Sequence, residues 1–545
     1  MTQADRPGVG THRLVRAACL VLALMLAGPA FAQQPGGLSP RMMTLEQTSY
    51  APITGARVAC ADSTAAAFRC HNVDLLAFLP LAALGNATTT SSNDLWGWTD
   101  PETGREYALV GLNNGTSFVD VTDPVNPVVL GMLPSHNGTA SLWRDVKVYR
   151  NHALIVSEAY GHGLQVFDLT QLRTVAQPPV TFRETAHYDA FGAAHNVVVN
   201  EESGFAYAVG IQGIQAEVGC GPGLHMIDVR DPARPAFAGC FNSSVGRGYT
   251  HDAHCVLYRG PDAEHQGREI CINADERGIV VVDVTDKQAP VERGGGAYPD
   301  AGYVHQGWLT EDHRYFFQDD ELDEAYGATA RTRTLVWDLE DLDDPRLYLV
   351  YHARTDVYDH NQYVRGDRLY QANYRAGLRI LDLGDLASKA VSEVGFFDTY
   401  PAADGPGFDG AWSVYPFFES GTILVSDMDA GLFVLEPTHA ARLVARDSAV
   451  HEAPEVPGAF ELAAAYPNPF NPATRLTLTL GTAQRVTLAV YDALGREVAR
   501  LHDGPLAAGT HAFVFEAPAG LPSGSYVVRA TGSEAASTRT ITLLK

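Results

Sequence analysis

The chain has 545 residues, a formal charge of −25, and 46% hydrophobic against 19% charged residues. A field of that sign repels nucleic acid and anionic membrane surfaces, which excludes both as partners. With 51 Gly and 31 Pro, the composition suits many short strands and turns rather than long helices, and the length implies more than one domain.

The first expected element is a secretory signal peptide over 1–32. Arg13 and Arg16 give a positive start, Ala17 to Ala27 is apolar but too short to span a bilayer, and Ala30-Phe31-Ala32 is a small-x-small cleavage site. No later segment has 18 uninterrupted apolar residues, so no transmembrane helix is expected. Residues 33–72 read as an N-terminal extension. Six cysteines remain after Cys19 leaves with the signal: Cys60, Cys70, Cys220, Cys240, Cys255 and Cys271. An even count in an exported chain suggests disulfides, and none shows the C-x-x-C spacing of a zinc site.

From residue 73 to 437 one pattern recurs: Gly, alternating apolar residues, then an acid. It stands at Gly115–Asp120, Gly163–Asp168, Gly223–Asp228, Gly278–Asp283, Gly377–Asp382 and Gly431–Glu436, with Thr334–Asp338 as a copy without the Gly. Seven copies at about 50 residues with period-2 alternation predict an all-β, seven-bladed β-propeller of four-stranded sheets. The last unit lacks an outer strand. Leu75–Pro80 matches the outer-strand segment Val129–Pro134, so an N-terminal strand is expected to close the last blade and remove an exposed edge. That arrangement pairs Cys60 with Cys70, Cys220 with Cys240 and Cys255 with Cys271.

Residues 438–458 read as a polar linker. Over 459–545, short strands at regular spacing predict a C-terminal immunoglobulin-like β-sandwich. Tyr466-Pro-Asn-Pro-Phe-Asn-Pro472, Asp492–Arg496 and Leu521–Tyr526 in this tail resemble the type A sorting domain of the type IX (Por) secretion system. That resemblance implies the type IX secretion machinery as a partner and the outer-membrane cell surface or the medium as the destination. The body, through Cys60–Leu79, Asn93–Asp100, Trp143–Tyr149, His251–His254 and Gln371–Asp382, resembles the choice-of-anchor B family of LVIVD-type repeats. That resemblance implies location and fold, and no activity.

The chemistry is expected where the first strands of successive units enter a shared axis. His195, His254, His305 and His360 share one register at spacings of 59, 51 and 55 residues. Converging imidazoles suit a transition metal with open positions. Asp145 and Asp252 are placed to orient a ring or act as a base, His187 and His251 lie close by, and Trp412 enters at the seventh position. The alternative is that these histidines hydrogen-bond the neighbouring unit and hold no ion. Asp427-x-Asp429 and the acidic run Asp319–Glu324 offer hard oxygens for Ca²⁺, without a complete 12-residue loop. No nucleophile-elbow, zincin or P-loop motif is present. The expectation is an exported surface or secreted propeller that binds an extracellular ligand or protein and is not an enzyme. The alternatives are a metal-dependent enzyme using the histidine ring, and an inert structural module.

Overall fold

The computed structural model describes residues 50–213, 220–221, 223–242, 249–384, 386–438, 441–442 and, with short gaps, 460–544. The signal peptide, residues 33–49, most of the linker, and Tyr466-Pro467 and Ala493–Gly495 of the tail motifs lie outside the described residues. The chain divides into two compact units, Met1–Leu443 and Val444–Lys545.

The recurring acid has a local cause. It ends the third strand of a sheet, and its carboxylate accepts the backbone N–H two residues on. Asp120 takes Thr122, Asp168 takes Thr170, Asp228 takes Arg230, Asp283 takes Thr285, Asp338 takes Glu340 and Asp382 takes Gly384, all at 2.8–3.1 Å. Each is a side-chain turn that stops one strand and starts the corner to the next. The fourth strand then carries a bulge opposite this end, as at Val119, Ile227, Val282, Trp337 and Leu381. Gly239, with φ 159°, sits at one such bulge, where a Cβ would lie 1.7 Å from the Lys287 carbonyl oxygen.

Seven sheets build the first unit, and each begins with a strand named here: β1 (Ser92–Thr99), β2 (Arg144–Tyr149), β3 (Asn196–Asn200), β4 (Thr250–Leu257), β5 (Val304–Leu309), β6 (Asn361–Arg365) and β7 (Ala411–Tyr415). Five of the seven hold four strands. The β1 sheet gains Val180–Thr181 as a fifth, and the β6 sheet gains Phe68–His71 and Thr64–Ala65. Val73–Pro80 pairs antiparallel with Gly431–Pro437 and is the outer strand of the β7 sheet. β1 packs on β2, β2 on β3 and so on to β7, and β7 packs on β1. The apolar cores lie between neighbouring sheets, for example Val110, Val119, Leu424 and Val434 between the β7 and β1 sheets. Val280 and Val282 face Tyr207 and Val209 between the β4 and β3 sheets.

The expected closed, seven-bladed β-propeller with a sandwich behind it is corrected here. Among the described residues the chain forms nine separate open sheets, and none closes on itself. Every backbone ladder ends at the first strand of its own sheet. Neighbouring sheets meet through packing, backbone bonds such as Ser92 N–H to Met428 O (3.2 Å), and side-chain bridges. Asp145 Oδ2 accepts the Val197 N–H at 2.7 Å, and Gln306 Oε1 accepts the Gln362 N–H at 3.1 Å. The second unit holds the other two sheets, of three and four strands, over one core of Leu476, Leu478, Leu488, Phe515, Val528 and Ile541.

Three disulfides join Cys60–Cys70, Cys220–Cys240 and Cys255–Cys271. Cys255 and Cys271 are direct cross-strand partners in the β4 sheet. No helix among the described residues is long and apolar enough to cross a membrane.

Candidate metal centre

The starts of the seven first strands gather at one end of their shared axis, because each enters beside the next. His251, His305 and His360 stand on neighbouring strands. Ring centroids are 4.1 Å apart for His251–His305 and 4.4 Å for His305–His360, and His195 lies 4.3 Å from His251. All four histidines are buried. A small cavity of ≈ 10 Å³ opens on His195, His305 and His360, lined also by Trp143, Arg144, Asn196, Asn361 and Trp412.

The hydrogen-bond partners fix the tautomers. His251 Nδ1 lies 2.7 Å from the His305 carbonyl oxygen, and His360 Nδ1 lies 2.6 Å from the Trp412 carbonyl oxygen. A carbonyl only accepts, so the hydrogen sits on Nδ1 and Nε2 carries a bare lone pair. His195 Nδ1 is held by Glu158 Oε1 at 2.6 Å. This is the outer-shell arrangement that orients metal-ligating imidazoles and raises their basicity.

Burial and then the Trp412 bond and neighbouring charges leave His360 near 4, so the ring is neutral. Burial first, then the neighbouring imidazoles, also push His251 and His305 well below the ordinary value. His195 runs the other way. Burial opposes its charge, but the Glu158 hydrogen bond and the Glu158, Glu321 and Asp252 carboxylates outweigh burial and raise it.

His305, His360 and Glu321 bring ligand atoms within 4.8 Å of one another. Ligands about 2.1 Å from one tetrahedral ion are about 3.4 Å apart, so donors spaced by up to 4.8 Å close on an ion by each moving inward up to about 0.8 Å. Glu321 is itself held: Tyr374 Oη donates to Oε1 at 2.6 Å. Burial, above all, pushes its carboxyl up to about 7, against the Tyr374 bond and His195.

The structure separates the expected site residues. His195, His305 and His360 come together, and His251 joins them in the place expected for His254. The cause is a register shift between Thr250 and Asp252 at the start of β4. His254 lies further along the strand, stacked on Trp308 at 3.8 Å, with Nδ1 accepting the Leu309 N–H at 3.1 Å. Its hydrogen is therefore on Nε2, and it faces a different cavity. His187 is also elsewhere, bonded to the His162 carbonyl and stacked on His136.

Asp145 is spent on Lys147 (2.5 Å) and on the Val197 N–H. Asp252 holds the Ala253 N–H at 2.7 Å, and burial pushes it up to about 7. Trp412 contributes its carbonyl to His360 and its ring to the cavity wall. Of the acids considered for Ca²⁺, only Glu321 belongs to a group of three converging ligands among the described residues. Asp427 and Asp429 instead hold turn N–H groups and Gly410 N–H.

Glu158 was not singled out in the sequence, and Glu321 only as part of the acidic run considered for Ca²⁺, yet the two are equivalent. Each directly follows the second strand of its sheet, and its N–H donates to the residue ahead of the first strand, Trp143 or Tyr303. Each then faces the histidine of the next sheet. Glu276 holds the same position. Aligning second-strand ends, as first-strand starts were aligned, exposes this acid.

No family model matches the chain, and no curated protein matches it. The resemblances to the choice-of-anchor B family and to the type IX sorting domain are corrected on that finding, and with them the expected secretion machinery. Among solved structures, a protein from Lactobacillus plantarum is 12% identical, at TM-score 0.40, over 78% of this chain and 100% of its own. The periplasmic gluconolactonase PpgL of Pseudomonas aeruginosa is 10% identical, at TM-score 0.41, over 79% and 100%. A chain of the COPII outer coat vertex on membranes is 8% identical, at TM-score 0.42, over 77% and 98%. At TM-scores this low none carries an argument about fold or chemistry. The chain is thus defined by its own geometry, an all-β protein with a buried imidazole–carboxylate cluster.

Proposed function

We propose that this protein is a metal-dependent enzyme whose centre is His305, His360 and Glu321. The expected reading, a surface propeller that only binds a partner, is set aside. It rested on a fold and families that the sheets and the comparisons contradict, whereas the donor set stands on its own. The single observation that carries the proposal is the convergence of His305, His360 and Glu321, whose ligand atoms lie within 4.8 Å of one another, with the His360 Nδ1 hydrogen spent on the Trp412 carbonyl so that its Nε2 lone pair is left to ligate. Two imidazoles and one carboxylate with open positions are the donor set of non-haem Fe(II) sites and of catalytic Zn(II) sites. Such an ion supplies Lewis acidity or an activated oxygen ligand.

The chain's own residues have separate tasks in this reading. Tyr374 orients Glu321. The Trp412 carbonyl holds His360 in the ligating tautomer, and the His305 carbonyl fixes the neighbouring His251 ring. Glu158 holds His195 beside the centre as a proton carrier. The small cavity has room for about one water-sized group rather than a whole large ligand. We also place the protein outside the cytoplasm, supported by the signal-like Arg13–Ala32 segment and three disulfides.

The test is metal analysis of the purified full chain by mass spectrometry, with His360→Ala and Glu321→Gln beside it. One equivalent of Fe or Zn is expected in the parent and in His254→Ala, and less than a tenth in the two centre variants. A parent without stoichiometric metal, which also fails to take up added Fe(II) or Zn(II), sinks the reading.

A further inference from the structure

A second cavity, of ≈ 350 Å³, lies at the other ends of the same strands. Between the two, Trp96, Trp308, Tyr363 and Phe417 contact one another at 4.9–6.0 Å and fill the axis. The second cavity is therefore a separate site, and its chemistry differs from that of the metal centre.

His254 and His313 line it, and each accepts a backbone N–H on Nδ1, from Leu309 and Arg259 respectively, at 3.1 Å. Each therefore carries its hydrogen on Nε2 and is a donor, the reverse of His251 and His360. Burial, as the largest cause, lowers both, His254 to about 3, so neither is charged at neutral pH. Glu311 and Glu419 supply acceptors, and the Gly366 N–H fixes Glu311 through Oε1 at 2.8 Å. Arg365 is turned onto the Pro416 and Phe418 carbonyls, at 2.5 and 2.8 Å. An anion would therefore meet two carboxylates and a cation already engaged. Trp308 and Phe417 offer apolar ring surface, and His254 stacked on Trp308 holds that ring in place.

We propose that this cavity binds a neutral polyhydroxylated ring, a monosaccharide or disaccharide. Each hydroxyl both donates and accepts, which matches neutral imidazole N–H groups alternating with carboxylates. The C–H faces of such a ring match the aromatic walls. The volume falls in the range of small-molecule sites, about 300–1,000 Å³, which the metal cavity does not reach.

The experiment titrates the full chain with glucose, galactose, xylose, N-acetylglucosamine and cellobiose, by calorimetry and tryptophan fluorescence. Tetramethylammonium chloride and sodium acetate serve as charged probes. Saturable binding of at least one sugar is expected, weakened at least tenfold in Glu419→Gln and in Phe417→Ala, and unchanged in His360→Ala. Glu419 is exposed, so its substitution leaves folding intact and keeps the result interpretable. Saturation by none of the five sugars overturns the proposal. So does sugar binding that both cavity variants leave within twofold, or saturation by a charged probe alone. Because His360→Ala removes the metal centre but not this cavity, failure here is distinguishable from failure of the metal reading.

Discussion

At the scale of single residues, the position of one hydrogen on each imidazole divides the histidines into two kinds. Where Nδ1 meets a carbonyl, the lone pair is left for an ion, and where Nδ1 meets an N–H, the ring becomes a donor. The distinction gives a test at Tyr374. Tyr374→Phe removes the hydroxyl that holds Glu321 without touching a ligand, so metal affinity falls by about 10–100-fold, read by competition with a chelator. The wild-type affinity also rises as pH passes about 7, because Glu321, pushed up to about 7 by burial, must ionise to ligate. In Tyr374→Phe that midpoint moves upward, since the Tyr374 bond favours the ionised form. The sequence spacing exposed His195, His305 and His360. His251 was placed only beside the ring, in whose fourth position His254 was expected, and Glu321 only in an acidic run for Ca²⁺, because a one-residue shift in β4 and the end of a second strand are settled only when strands pair.

At the scale of elements, β1 and β2 are tied by Lys147. Its ammonium meets Asp94 at 2.9 Å and Asp145 at 2.5 Å, and lies 4.8 Å from the Trp96 ring centroid. Both carboxylates are buried. Lys147→Met leaves them unneutralised, and we expect a loss of about 3–5 kcal/mol of stability, measured by denaturant unfolding. Adding Asp145→Asn to that variant recovers part of the loss. The outer strand of the β7 sheet is Val73–Pro80, from the other end of the unit. Deleting residues 50–80 bares the Gly431–Pro437 edge and removes one disulfide partner set, so the protein is expected to lose its cooperative thermal transition and to aggregate. An unchanged sharp transition in the truncated chain contradicts this. The repeated Gly–apolar–acid segments were legible as strands, and the acid proved to be the turn that ends each one. That the sheets stay separate did not follow from the repeat, because side-chain bridges and packing, not a continuous ladder, join one sheet to the next.

At the scale of the whole molecule, buried acids and buried histidines set opposite limbs of the pH–stability curve. Burial lowers His360 to about 4 and His254 to about 3. Their contribution is present above the unfolded value near 6.5 and is lost as pH falls below it. Burial raises Asp252 and Glu321 to about 7 and Asp429 to about 8. The folded state holds more protons than the unfolded one between about 4 and 8, so their contribution is lost as pH rises through that window. Between pH 6.5 and 8 the histidine terms are already complete and the acids remain. The melting temperature of metal-free protein is therefore expected to fall across that interval, and saturating Zn(II) or Fe(II) to reduce the fall. A melting temperature that rises from pH 6.5 to 8 without metal contradicts the assignment.

The sequence by itself determined the all-β character, the period of the strands, the presence of disulfides and a histidine register pointing to metal chemistry. These depend on local alternation, turn residues and composition, which neighbouring residues carry. Only the tertiary structure decided that nine open sheets form among the described residues, that His251 stands where His254 was expected, and that Glu321 comes within 4.8 Å of His305 and His360. Those outcomes depend on register between segments tens to hundreds of residues apart, where a shift of one position turns a side chain from one face to the other.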